Sequence, residues 1–163
     1  MKFVLFRHAH KGIQPFDDPE LSLPGFEQAA KILALADNKT LPRPTALLVS
    51  PRRRTSQTFY PISKNSTLPM HITEALDQCL PGEGSREFRL RVQNFLRQLS
   101  TLYAHDDVVF ACTHYDWIEC AMQLIQCDKD LTTFEFAHWS PTQYIVFEIN
   151  SFTWTYLQKG TAK

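Results

Sequence analysis

An α/β fold is predicted, a three-layer α/β/α sandwich around a mostly parallel central sheet, from two observations. Three short apolar runs, at residues 2–6, 45–49 and 108–112, each stop abruptly at polar residues, as buried parallel strands do. The segments between them are longer and carry apolar residues at helical spacing. Strands alternating with helices, with no repeat, low-complexity tract or linker, predict one domain over residues 1–163.

Each element has its own signal. Lys2–Phe6 reads as a strand delivering Arg7-His8 at its end. Residues 12–24, with Gly, Pro, Asp and Ser, read as loop. Ser22 is a candidate helix N-cap with Pro24 and Gly25 just inside the first turn, followed by a helix whose face is Phe26, Ala29, Ala30, Leu33 and Leu35/Ala36. Thr45–Val49 is the second strand, ending at Ser50-Pro51, and Pro51 is placed to open a helix. Residues 61–70, rich in Pro, Ser and Asn, read as loop, His71–Leu76 as a short strand, and Leu80–Ser85 as a turn or loop. Residues 86–103 carry Phe88, Val92, Phe95, Leu96, Leu99 and Leu102 at helical spacing. Val108–Cys112 is the third strand, ending at Thr113-His114, and a helix over 116–127 follows. Gln143–Ile149 and Thr153–Leu157 read as strands joined at Asn150-Ser151, with Phe147, Phe152, Trp154 and Tyr156 as sheet core and edge.

Composition excludes several classes. At 44% hydrophobic and 12% aromatic, a disordered or collagen-like chain is ruled out. Seventeen basic and 17 acidic side chains give zero formal net charge, which argues against a nucleic-acid binder held by overall charge. Apolar runs such as Ala46–Val49 are too short to cross a bilayer. Met1–Phe6 followed by Arg7 lacks the apolar stretch and cleavage site of a signal peptide, so a soluble, cytoplasmic protein is expected. The cysteines (Cys79, Cys112, Cys120, Cys127) form no CxxC pair and are expected to be reduced and mostly buried. No His/Cys cluster has ligand spacing, so no metal or other cofactor is expected.

The chemistry concentrates at three strand ends: Arg7-His8, Ser50-Pro51 with Arg54 close behind, and Thr113-His114. Ligands bind outside the carboxyl ends of strands in open parallel sheets. If these strands are neighbours, two histidines and two arginines converge there. Arginine presents a fork of donors suited to phosphoryl oxygens, and an imidazole nitrogen is a competent nucleophile near neutral pH. Together they describe a site for a phosphoryl group.

Four segments carry a resemblance. Phe3-Val4-Leu5-Phe6-Arg7-His8-Ala9 resembles the Arg-His-Gly signature of the histidine phosphatase superfamily, whose fold is phosphoglycerate mutase-like. Leu21 to Ala29 is similar to its Leu-Thr-x-x-Gly-x-x-Gln-Ala segment, Ser50 to Thr58 to its Ser-Pro-x-x-Arg-x-x-Gln-Thr motif, and Cys112-Thr113-His114 to its second-histidine motif. The resemblance implies a phosphatase acting on a phosphomonoester or phosphoramidate through phosphohistidine at His8. Arg7 and Arg54 would bind the phosphoryl oxygens, and His114 would add a donor or a positive charge. No metal would be needed. The substrate would be a small phosphorylated molecule or a phosphoprotein, with inorganic phosphate as product; oligomeric state stays open.

Ala9 and Tyr115 stand where the family has glycine. Gln78 stands where it commonly carries an acidic residue, and glutamine has no proton to donate. Glu83 is the first substitute for the acid, with Asp77 and Glu74 as alternatives. The chain length is nearest the short phosphatase branch. A mutase, or a catalytically silent domain binding phosphate or a phosphoprotein, are the alternatives. Arg52 and Arg53 read as a solvated basic turn, and His10, His71, His105 and His138 as residues without a role.

Overall fold

The computed structural model describes residues 1–151 and 153–162. Its strands are β1 (Lys2–Arg7), β2 (Ala46–Val49), β3 (Met70–Ile72), β4 (Val108–Thr113), β5 (Gln143–Asn150) and β6 (Thr153–Thr161), in the order β3-β2-β4-β1-β5-β6. β3, β2, β4 and β1 run parallel. β5 is antiparallel to β1 and pairs with β6 as a hairpin. The sheet is therefore mixed, parallel where the site residues emerge. Phe152 lies outside the described residues; Phe147 is buried, with the Trp154 ring edge-on to it.

Alternate strand residues face opposite layers, as period-two geometry requires. Phe3, Leu5, Val109, Ala111, Ile145 and Phe147 pack on one side against α3 (Ser85–Leu102), α4 (Tyr115–Leu124) and the short α5 (Phe134–Ala137). Val4, Phe6, Leu47, Val49, Phe110 and Cys112 pack on the other against α1 (Leu23–Asp37) and α2 (Arg53–Ser66). This is the expected three-layer arrangement.

Three local expectations are corrected. α1 buries Gly25, Ala29, Ile32 and Ala36, while Phe26 and Ala30 are exposed. The helix therefore turns a narrower stripe of small residues to the sheet, with Ile32 as its large anchor. Residues 61–66 are helix, because α2 runs through Pro61 to Ser66. Its stripe of Thr55, Thr58, Phe59 and Ile62 continues across the proline, and burial of that stripe outweighs the backbone hydrogen bond that proline cannot donate. Pro51 precedes the α2 N-cap, Arg52, instead of opening the helix.

Smaller differences follow. Residues 70–76 divide into β3 and a 3₁₀ turn, Glu74–Leu76, and α4 ends at Leu124. Leu102 is exposed at the end of α3. Only Cys112 of the four free cysteines is buried, and its thiol is held far above its ordinary range by burial. Among the described residues, no helix is long and apolar enough to cross a membrane.

Candidate active site

The chain crosses from β1 over β4 to β2, then returns to insert β4 between them. Such a reversal opens a crevice at the carboxyl ends of the strands. The register pairs Arg7 with Thr113 and Val49 with Cys112, so Arg7-His8, Ser50 and Thr113-His114 emerge side by side. The backbone N–H of His8 donates to the Thr113 carbonyl at 3.0 Å and carries the pairing past the strand end.

α2 secures the chain after His8. Thr58 Oγ1 donates to the Arg54 carbonyl and accepts from the Ala9 N–H at 2.9 Å. Gln57 Oε1 accepts from the Leu21 N–H at 2.8 Å, holding the far end of the loop that follows His8. Ser22 caps α1 by accepting from the Gly25 N–H at 3.1 Å. A Cβ at Gly25 would lie 2.0 Å from the His10 carbonyl oxygen, so only glycine permits this approach of helix to loop.

His8 is buried, and its Nδ1 lies 2.7 Å from the Ala9 carbonyl oxygen. A carbonyl only accepts, so Nδ1 carries the proton and Nε2 keeps its lone pair. Burial, with Arg54, Arg7 and Lys11 adding repulsion, lowers the His8 pKa to about 3. The ring is neutral at physiological pH.

His114 is also buried, its ring centroid 5.3 Å from that of His8. Arg54 Nη2 donates to its Nδ1 at 3.1 Å. Nε2 therefore holds the proton and donates to Ser50 Oγ at 2.8 Å. Burial and then Arg54 push its pKa far down. Of the two alternatives for His114, donor or positive charge, the neutral ring leaves the donor, which is spent on Ser50 while Nδ1 accepts from Arg54.

The guanidinium of Arg54 is buried, between Gln78 Oε1, His114 and Asp18 Oδ1, the last 3.5 Å from Nη1. Arg7 is half-buried, bonded through Nη1 to the Trp139 carbonyl and set 5.4 Å from the centroid of the Tyr115 ring. Tyr115 is itself tied to the Ala137 carbonyl at 3.1 Å. Burial lowers the pKa of both arginines from its ordinary value, which stays too high for either to lose its charge. In each, the buried Nε has no hydrogen-bond partner. Two orphaned cationic donors beside a histidine with a free lone pair suit an anion with several oxygens.

Of the three acid candidates, Asp77 reaches the site, its Oδ1 3.6 Å from His114 Nε2, whereas Glu83 is taken up by Arg91. Glu83 forms a two-point ion pair with Arg91, 2.6 Å from Nη2 and 2.8 Å from Nε, and accepts from the Leu80 N–H. The Arg91 hydrogen bonds hold its carboxyl below the usual carboxylate range, so it is a poor proton donor. Asp77 is buried and accepts from Arg52 Nε at 3.0 Å and from the Gln78 N–H at 2.9 Å. Glu74 is exposed at the start of the 3₁₀ turn. Arg52, read as solvated, thus has a structural partner; Arg53 is exposed as read, but its Nη1 donates to Glu20 Oε1 at 3.2 Å. His10, His71, His105 and His138 are exposed.

Asp18, Ser50, Gln57 and Thr58 join the site without a role that residue type alone assigns. The last three lie inside the motif around Arg54, whose spacing was the available signal. Asp18 sits in an irregular loop where no spacing marks it.

The sequence model of the histidine phosphatase superfamily (branch 1) matches residues 4–83. No curated protein gives a significant sequence match. The α-ribazole phosphatase of Shigella flexneri superposes with a TM-score of 0.77 at 19% identity, covering 99% of this chain and 97% of that one. The protein histidine phosphatase SixA, in complex with tungstate, gives 0.74 at 15% identity, covering 99% and 97%. A phosphoserine phosphatase mutant of Entamoeba histolytica bound to phosphoserine gives 0.71 at 12% identity, covering 99% and 98%. These likenesses are of fold: the chain has the phosphoglycerate mutase-like architecture, and its residues 4–83 match the histidine phosphatase superfamily.

Proposed function

We propose that this chain is a phosphatase that transfers the phosphoryl group of a phosphomonoester or phosphoramidate to Nε2 of His8 and then to water. One observation carries the reading. His8 is buried and neutral, with Nδ1 occupied by the Ala9 carbonyl, so its lone pair faces no competing proton. Such a nitrogen needs no separate base. Arg7 and Arg54 bind the equatorial oxygens through the donors that are otherwise unsatisfied, where charge develops in the transition state. His114 and Ser50 orient Arg54. The arginines supply the positive charge, so turnover proceeds with chelator present.

The known proteins of like fold support a phosphorylated substrate: one is complexed with phosphoserine and another with inorganic phosphate. The loop after His8 exposes Ile13 and Phe16, and Leu23 and Phe26 are exposed beside it at the start of α1. That flank suits a substrate with an apolar group, or a phosphoprotein, next to the phosphate.

The test is hydrolysis of p-nitrophenyl phosphate with chelator, by wild type and His8→Ala, with acid quench to trap acid-labile phosphoenzyme. Turnover and labelling in wild type only are expected. Phosphate binding without turnover of aryl phosphate or phosphoramidate would leave a silent binding domain instead.

A further inference from the structure

The phosphatase reading leaves the leaving group without a proton donor. Gln78 has no proton to give, and its Oε1 accepts from Arg54. Glu83 belongs to Arg91 and Asp77 to Arg52. Asp18 is different. It lies on the loop leading from His8 to α1, 3.5 Å from Arg54 Nη1, and its Oδ1 is buried without a hydrogen-bond partner. The other oxygen accepts from the Arg53 N–H at 3.2 Å, which fixes the carboxyl against the α2 N-terminus. Both ends of the loop are secured: Gly12 donates to Glu20 O at 2.7 Å, Ser22 to His10 O at 3.0 Å, and Leu21 to Gln57.

Resting on that reading, we propose that Asp18 is the proton donor to the leaving group. Its contact with Arg54 is longer than a charge-assisted hydrogen bond, about 2.7–2.9 Å, so an entering phosphoryl group displaces it readily. That group takes Arg54 and puts negative charge beside Asp18. Loss of the cation and gain of a like charge both favour protonation, with the proton drawn from solvent. In the first step the lone pair of His8 Nε2 forms the N–P bond as the P–O bond breaks. The departing oxygen keeps the bonding pair and takes the Asp18 proton, leaving as an alcohol beside a carboxylate. In the second step water attacks phosphorus and passes a proton to Asp18, and the N–P electron pair returns to Nε2.

Asp18→Asn removes the proton but keeps an oxygen for the Arg53 N–H, so it tests the chemistry with the fold kept. Wild type and variant are compared on p-nitrophenyl phosphate and on an alkyl phosphate such as phosphoserine, with inorganic phosphate as competitive inhibitor. Expected is a loss of about 10²-fold or more in kcat on the alkyl phosphate, loss of the alkaline limb of its pH profile, and less than about a 10-fold change on the aryl phosphate. Inhibition by phosphate is not weakened, and Asp18→Glu recovers part of the alkyl rate. An equal loss on both substrates would make Asp18 a positioning residue for Arg54. Faster turnover of both with tighter phosphate inhibition would make it a competitor for the anion site. Either result overturns the proposal. Absence of turnover in wild type overturns the phosphatase reading itself, and is distinguishable because no variant is then involved.

Discussion

Two loops flank the carboxyl end of the sheet and both carry carboxylates, yet their chemistry differs. In residues 77–84, Glu83 holds Arg91 in a two-point pair and Asp77 holds Arg52. Arg91 also donates to the carbonyls of Glu74, Ala75, Asp77 and Gln78 at 3.0, 3.4, 2.8 and 3.0 Å. These carboxylates and guanidiniums fix backbone. In the loop after His8, Asp18 has one oxygen on the Arg53 N–H and 3.9 Å from Arg53 Nε, and the other 3.5 Å from Arg54 Nη1 with no hydrogen bond. A carboxyl near a site becomes an acid only where its partners leave a proton acceptable. Hydrogen-bonded pairing, more than proximity, separates the two loops.

The largest effect expected belongs to the residue between them. His8→Ala brings turnover down by about 10⁴-fold or more and abolishes phosphoenzyme, read by single-turnover quench. Residual phosphoenzyme would move the nucleophile elsewhere. Next, Arg54→Ala lowers kcat/KM by about 10²–10³-fold and weakens inhibition by phosphate, since it removes the buried guanidinium on which His114, Gln78 and Asp18 converge.

The contrast between the loops sharpens with Arg91→Ala. Losing a largely buried pair and four carbonyl contacts destabilises the fold by about 3 kcal/mol, measured by denaturant unfolding. Glu83→Gln lowers stability by a smaller amount and leaves the ratio of alkyl to aryl phosphate turnover unchanged. A change in that ratio would return Glu83 to the chemistry and erase the distinction.

Acid provides a further test. His8 is held neutral in the fold to about pH 3, while an unfolded histidine titrates near 6.5. Between those values the unfolded chain binds the extra proton, so stability falls as pH drops from about 6.5 to about 3. The slope is up to about 1.4 kcal/mol per pH unit from His8, and His114 adds to it. His8→Ala flattens the curve, read as unfolding midpoint against pH. Smallest is Ser22→Ala, which costs about 1 kcal/mol by removing the α1 cap.

Much of this site was legible in the sequence. Arg7-His8, Arg54 and Thr113-His114 lie just past apolar runs, and strand ends that are neighbours in a parallel sheet bring such residues together. The α3 stripe and the terminal hairpin were equally plain, because periodicity reports burial directly. Pro61 misled: a local rule marked a helix end, but the buried face of α2 continues on both sides of it.

The sequence by itself determined the class of fold and that Arg7, His8, Arg54 and His114 gather past strand ends, since these depend on residue type and on position relative to strand ends. Tertiary structure alone decided which carboxylates are spent in ion pairs, which nitrogen of each histidine holds its proton, and that Asp18 reaches Arg54. The reason is physical. Proton affinity and tautomer depend on partners at about 3 Å, and Asp18 and Arg54 are 36 positions apart in the chain (54 − 18).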